Sequence, residues 1–176
     1  MKKLIFLAVA LLVGCLAARA QSSNYYFGGD ISFTASSSGT RIIVYPEIGK
    51  RISNNLYAGV AAGGGYYHYG ETTDFSMGVT PHLRGYLFLY QGFGLSGDLH
   101  ATYRVTRRRG YDPLIKTIEA GIRPGLVIPV GGGASLTAQV GFFGWSRSDY
   151  GNGNPTSRWV ARLEARDILI GVLLNL

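Results

Sequence analysis

The sequence predicts an all-β fold: an eight-stranded antiparallel up-and-down transmembrane β-barrel, preceded by a cleavable signal peptide. Three observations predict it: alternation of apolar and polar residues in eight segments, strands longer than those of soluble proteins, and charges gathered on the polar face. Successive side chains of a strand point to opposite faces, so this alternation gives one apolar and one polar face. A polar lumen inside an apolar outer face is the sequence signature of a membrane-spanning barrel.

The clearest alternation lies in residues 75–107, which form a long hairpin that turns at 91–92. Each arm has about fifteen residues, whereas strands of soluble proteins usually have five or six. One face carries Phe75, Met77, Val79, Leu83, Leu87, Leu95, Leu99 and Val105. The other face carries Arg84, Asp98, His100 and Arg104, which suits a packed polar lumen.

The N-terminus has the features of an export signal. Lys2 and Lys3 precede an apolar stretch at 4–12, and Ala18-Arg19-Ala20 has the form of a signal-peptidase site. The predicted division is therefore a signal peptide at 1–20 and a barrel at 21–176. Residues 12–15 (LVGC) also resemble a lipidation site at Cys15, and this alternative stays open. Cleavage after Ala20 would leave a mature chain without cysteine, hence without disulfides.

The remaining strands follow the same alternation. The eight predicted strands span 25–35, 41–52, 56–69, 75–90, 93–106, 115–130, 134–147 and 158–176. Short turns are predicted at 53–55, 91–92 and 130–133, and longer loops at 36–40, 70–74, 107–114 and 148–157. This asymmetry is typical of outer-membrane barrels, whose short turns face the periplasm.

In the last two predicted strands, the alternation also indicates which side chains point outward. In the seventh strand, Leu136, Ala138, Val140 and Phe142 are predicted to point outward. In the eighth, Trp159 and Leu163 share the outward face, but from Ile168 the alternation has shifted by one residue. A bulge near Arg166 and Asp167 would explain the shift, because one extra residue reverses the faces.

Three segments resemble a known family. Residues 46–56 (PEIGKRISNNL), 81–86 (PHLRGY) and 168–174 (ILIGVLL) resemble the small outer-membrane β-barrel proteins common in Bacteroidota, which are similar in build to the OmpX and OmpA type. The resemblance covers the whole mature chain. It implies location in the bacterial outer membrane and insertion by the barrel-assembly machinery. It implies little about activity.

The polar face suggests a network of ion pairs in the lumen. Its predicted members are Asp30, Glu47, Arg84, Asp98, Arg104, Glu119, Arg123, Arg162 and Glu164. An eight-stranded barrel has room for side chains and little more, so a salt-bridged plug is favoured over an ion path or a catalytic cluster. His82 and His100 are interpreted as members of this network rather than as metal ligands. No cofactor is expected.

Two other functions remain as alternatives. A lipid A deacylase or acyltransferase would need a histidine and a serine on the lipid-facing side near the outer rim, and His68 is the one histidine with that placement. A soluble periplasmic carrier of lipocalin type would need an apolar interior, which the acidic and basic residues of the polar face disfavour. The sequence therefore predicts no enzyme.

Basic residues gather at the predicted outer rim. Arg107, Arg108, Arg109 and Lys116 are candidates for contact with lipopolysaccharide phosphates, and Arg41, Arg147 and Arg158 would crowd the same rim. Arginine suits phosphate recognition because its planar fork can donate two parallel hydrogen bonds. Solvated loop charges are the equally open alternative. The expected partners are outer-membrane lipids and lipopolysaccharide, a nucleic acid is not expected, and a protein partner cannot be named.

Overall fold

A computed structural model describes residues 24–37, 39–90, 92–163 and 168–175, without the side chains of Ser36, Phe88, Leu89 and Tyr90. The predicted signal peptide and Cys15 lie outside these residues. The strands are β1 (Tyr25–Ser36), β2 (Gly39–Ser53), β3 (Leu56–Tyr69), β4 (Thr72–Tyr90), β5 (Phe93–Arg108), β6 (Ile115–Gly131), β7 (Ala134–Gln139), β8 (Phe142–Asp149), β9 (Thr156–Arg162) and β10 (Leu169–Asn175). No helix in the described part of the chain is long and apolar enough to cross a membrane.

The strands close into an antiparallel barrel of eight staves. Neighbours along the chain pair in turn from β1 to β6, and β6 pairs with both β7 and β8, which form the seventh stave. The eighth stave consists of β9, which pairs with β8, and β10, which pairs with β7 and closes the barrel on β1. The predicted all-β, eight-stranded antiparallel barrel is confirmed.

The connections differ in part from the prediction. The predicted loops at 36–40 and 70–74 are wrong, because β1 and β2 are separated only by residues 37–38, and β3 and β4 only by 70–71. The segment 72–74 is polar but continues the ladder, with Thr72 opposite Tyr69. Longer connections remain at 109–114 and 150–155. We call the end of the barrel that carries them the loop end, and the opposite end, near Asn24 and Asn175, the turn end.

The two faces of the sheet are as predicted. Outward side chains such as Leu83, Leu99 and Ile122 are exposed and form a continuous row across β4, β5 and β6. Many buried inward side chains are polar or charged, among them Ser76, Arg84, Asp98, Thr137 and Gln139, and a smaller apolar cluster includes Val127 and Leu173. The barrel therefore has an apolar outer surface and a polar interior, the reverse of a water-soluble protein.

A bulge in the seventh stave changes which residues face the lumen. Gln139 pairs with Gly125 and Phe143 with Ile122, so three residues of this stave lie opposite two of β6. The extra residue is accommodated at Gly141, whose φ of 69° favours glycine. The predicted outward position of Phe142 is wrong, because the bulge reverses the faces and buries its ring inside the barrel.

The predicted change of phase in the eighth stave also occurs. Leu163 is 80% exposed, and Ile168, Ile170 and Val172 are exposed as well, which requires a shift between the two groups. The predicted bulge residues Arg166 and Asp167 lie outside the described residues.

Candidate functional site

Arg84 is the centre of the charged interior. Its side chain comes from the middle of β4, and the residue is only 1% exposed. Nε donates to Asp98 Oδ1 at 2.7 Å and Nη2 to Asp98 Oδ2 at 2.8 Å. Nη1 and Nη2 donate to the two carboxylate oxygens of Glu47 at 2.7 and 3.2 Å. One guanidinium thus bridges two carboxylates, one from β2 and one from β5, through charge-assisted hydrogen bonds.

Three further polar residues lie near this cluster and differ in their hydrogen-bond partners: Gln139, Arg123 and Asp30. Gln139 Nε2 donates to Asp98 Oδ2 at 2.9 Å. Arg123 donates to the carbonyl of Gly141 at 3.3 Å and to Gln139 Oε1 at 3.5 Å, rather than to a carboxylate of the described chain. Asp30 is buried, and its Oδ1 has no hydrogen-bond partner among the described residues. The structure therefore brings Asp30 and Arg123 into the same lumen but not into the Arg84 ion pairs.

A second cluster lies closer to the loop end. Glu119 accepts hydrogen bonds from Arg104 Nη2 at 2.8 Å and from Arg162 Nη2 at 3.2 Å, one on each carboxylate oxygen. Two guanidinium groups therefore share one carboxylate. Glu164, the remaining predicted member of the network, lies outside the described residues.

The basic residues of the rim occupy three different environments. Arg108 is held by Asp74 through two hydrogen bonds of 2.9 Å, so its fork is already occupied. Arg107, Arg109 and Lys116 are exposed. Arg41 was predicted on the rim with them, but it lines the lumen, where its guanidinium lies 5.5 Å from the centre of the Tyr67 ring.

The histidines belong to local contacts. His82 Nε2 lies 2.8 Å from the Tyr26 hydroxyl and 3.6 Å from Glu47 Oε2, so this residue joins the Arg84 cluster. His100 packs on the Phe142 ring at 5.4 Å. No group of three or more His, Cys, Asp or Glu residues able to hold a metal ion occurs in the described ranges. His68 is exposed, and its Nδ1 lies 3.1 Å from the Thr73 hydroxyl.

Two spaces in the lumen lie on the loop-end side of a layer of packed side chains. A cavity of about 90 Å³ lies against Arg84, and a vestibule of about 340 Å³ opens at the loop end. Towards the turn end, the rings of Tyr26, Tyr57 and Tyr86 pack edge to face, with centroids 5.5 and 5.1 Å apart. The Arg84 cluster and this tyrosine layer together fill the middle of the barrel, and a further space of about 240 Å³ lies beside Tyr57 and Tyr86 at the turn end.

Sequence reasoning missed several residues of the interior. Gln139 was predicted to face inward, but alternation carries no information about which carboxylate it would meet. Asp74 was placed in a loop because its neighbours are polar. The alternation predicts Phe142 on the outer surface, and Arg41 is predicted at the outer rim rather than in the lumen. The glycine at 141 was the one available signal for the bulge, since an isolated glycine within a strand pattern often marks one.

The structure is similar to the crystal structure of neisserial surface protein A (NspA). The two chains are 19% identical and superpose with a TM-score of 0.49, over 88% of this chain and 98% of that one. No family model matches the sequence. No curated protein matches it either.

Proposed function

We propose that this protein is a small bacterial outer-membrane β-barrel with a closed, salt-bridged interior, which acts at the cell surface through its loop end and without catalysis. The observation that carries the proposal is the distribution of side chains. Large apolar residues cover the outside of the barrel, while Arg84, Glu47 and Asp98 are buried inside it. Such an outer surface is stable in lipid and prone to aggregation in water.

The filled interior supports an interaction role over transport of large solutes. The Arg84 cluster holds its partners at 2.7 to 3.2 Å, and the tyrosine layer lies between it and the turn end. The same interior is unsuited to a carrier of apolar ligands, because the largest fully buried side chains include Arg84 and Gln139. Desolvating these groups around an apolar ligand would be costly. The loop end is then the surface available to partners.

The non-catalytic part of the proposal rests on the surroundings of His68. A lipid A hydrolase or acyltransferase of this build would pair a lipid-facing histidine with a serine. The contact that the structure describes for the His68 ring is the hydroxyl of Thr73, which follows in the next strand. Lipid A mass spectrometry on a deletion strain is expected to show unchanged acyl chains.

The proposed location in the membrane is tested by whether the folded protein requires detergent to stay in solution. We expect the full chain to fractionate with outer membranes, to need detergent for solubility, and to migrate faster on gels before boiling than after. These properties follow because the apolar outer surface binds detergent and the closed barrel resists unfolding in it. A folded, monomeric chain in plain buffer would contradict the proposal.

We further propose that Arg107, Arg109 and Lys116 contact lipopolysaccharide phosphates. Changing all three to alanine is expected to lower the amount of lipopolysaccharide that co-purifies with the barrel. Arg108→Ala is the matched control, because Asp74 already occupies the fork of that arginine and its loss should matter less. Unchanged co-purification of the triple variant, measured as phosphate per barrel, would contradict this contact.

A further inference from the structure

Three arginines stand at the boundary between the inner cavity and the vestibule. Arg41, Arg104 and Arg162 are the residues common to the linings of both spaces. They come from β2, β5 and β9, which belong to the second, fifth and eighth of the eight staves. The guanidinium groups therefore approach the passage from three sides of the barrel. We call these three residues the arginine collar.

The three arginines of the collar are held by aromatic rings and by Glu119. Arg41 lies over the ring of Tyr67 at 5.5 Å, and Arg162 lies over the ring of Phe142 at 5.2 Å. Arg104 is tied to Glu119 through one terminal nitrogen. Aromatic stacking holds a guanidinium in place over a ring. Arg104 contacts Glu119 through one of its terminal nitrogens, and the Nε of Arg162 has no acceptor among the described residues, so part of the donor capacity of these two arginines remains available.

The charge of this region is positive. Within the described residues, the vestibule and collar contain the guanidinium groups of Arg41, Arg104, Arg108 and Arg162, against the carboxylates of Asp74 and Glu119. Asp74 is engaged by Arg108, and Glu119 is shared by the other two arginines that it contacts. The Nε of Arg162 is also buried without an acceptor in the described part of the chain. A donor in this state favours an additional acceptor.

The vestibule above the collar is lined by groups suited to an oxyanion. Hydroxyl groups of Thr106, Thr117 and Ser148 line it together with Tyr67, Tyr69 and Tyr150. Below the collar, the inner cavity ends at the Arg84 cluster, whose packed side chains separate it from the tyrosine layer. A space with one entrance, a positive boundary and hydroxyl donors can retain an anion rather than conduct it.

We propose that the arginine collar binds a phosphate group, either free or as a phosphomonoester presented at the loop end. A tetrahedral phosphate offers oxygens in several directions and can accept from the remaining donors of Arg104 and Arg162 close to the charge of Arg41, whereas a carboxylate offers two oxygens in one plane. The negative charge of a phosphate also complements the positive charge of the arginines that line the vestibule. The bulge at Gly141 contributes to the site, because it turns the Phe142 ring inward beneath Arg162.

Titration calorimetry on the full chain, with inorganic phosphate at 0.15 M salt, tests the collar. The wild type is expected to bind phosphate, and Arg104→Gln to weaken that binding at least about tenfold, since it removes charged hydrogen bonds. Arg162 still neutralises Glu119 in this variant. Arg41→Gln is a second test that leaves the Glu119 pairs intact. Urea unfolding followed by tryptophan fluorescence shows whether each variant is folded.

Arg147→Gln is the matched control, since it removes the same charge from the same end of the barrel. Arg147 is exposed on the outer face opposite Ile118 and does not line the vestibule. Its phosphate affinity should stay within about twofold of the wild type, because exposed charges are screened at this salt concentration. Equal losses of phosphate affinity in folded Arg104→Gln and Arg147→Gln would contradict phosphate binding by the collar. A folded Arg41→Gln variant with wild-type phosphate affinity would contradict it as well.

The source of the phosphate is decided by a second pair of probes. We would compare how tightly the barrel in nanodiscs binds two ligands: lipopolysaccharide with its lipid A phosphates, and dephosphorylated lipopolysaccharide. Binding of inorganic phosphate that depends on Arg104 supports a soluble ligand; preference for intact lipopolysaccharide that depends on Arg104 supports a lipid-borne phosphate. If neither result is observed, the proposal that the collar binds a phosphate group is wrong. Solubility in plain buffer would overturn the membrane assignment alone, because the phosphate titration can be carried out in either medium.

Discussion

Arg84→Met is expected to destabilise the folded barrel by about 3–5 kcal/mol, because it leaves two buried carboxylates without their cation. Arg84 is 1% exposed and donates four hydrogen bonds of 2.7 to 3.2 Å to Glu47 and Asp98. Methionine fills much of the same volume, so the loss of stability measures the effect of the missing charge rather than that of a cavity. Urea unfolding in lipid vesicles or detergent, followed by tryptophan fluorescence, measures the change in the free energy of unfolding.

Two further variants separate the buried charge from a general effect of losing an arginine. Arg109→Met removes an exposed guanidinium and should change the free energy of unfolding by no more than about 0.5 kcal/mol. Combining Arg84→Met with Glu47→Gln and Asp98→Asn removes the unpaired charges and should recover most of the stability. A triple variant no more stable than Arg84→Met would show that packing around the guanidinium, not charge pairing, dominates.

Leu99→Arg is expected to destabilise the barrel in a lipid bilayer by about 2–4 kcal/mol, the cost of an arginine near the bilayer midplane. Leu99 lies in the middle of β5 on the outer face, beside Leu83 and Ile122 of the neighbouring strands. In water the same substitution at an exposed position would cost no more than about 0.5 kcal/mol. The measurement therefore distinguishes lipid from water as the natural surroundings of this surface.

Phe75→Arg is the matched control for depth. Phe75 and Leu99 are both 55% exposed on the outer face, but Phe75 lies near the loop end, opposite Arg107. The expected cost there is about 0–1 kcal/mol, since arginine near the interface reaches the headgroups. Equal costs at both positions in bilayers would contradict the proposed orientation of the barrel in the membrane.

The alternation of residue types was sufficient to predict the faces of most strands. In β4 and β5, the alternation places Leu83, Leu87, Leu95 and Leu99 on the outer face, and the structure exposes these side chains while it buries Arg84 and Asp98. The prediction succeeds because the two-residue period is a property of the extended backbone and does not depend on the neighbouring strand.

Predictions that depended on local polarity were less accurate. Thr72 and Asp74 were assigned to a loop, yet they extend β4, because polar groups at the rim of a barrel can remain solvated while their backbones pair. Phe142 was placed outside because the alternation was continued through Gly141. A single inserted residue reverses the two faces, and its position depends on pairing with β6.

The sequence by itself determined that the strands have one apolar and one polar face, since that follows from the order of residues along each strand. Only the tertiary structure decided which charges meet. Arg84 is 37 residues from Glu47, and Arg162 is 43 residues from Glu119. Such contacts depend on the register between strands and on the closure of the barrel. For the same reason, the arginine collar exists only once β2, β5 and β9 surround one lumen.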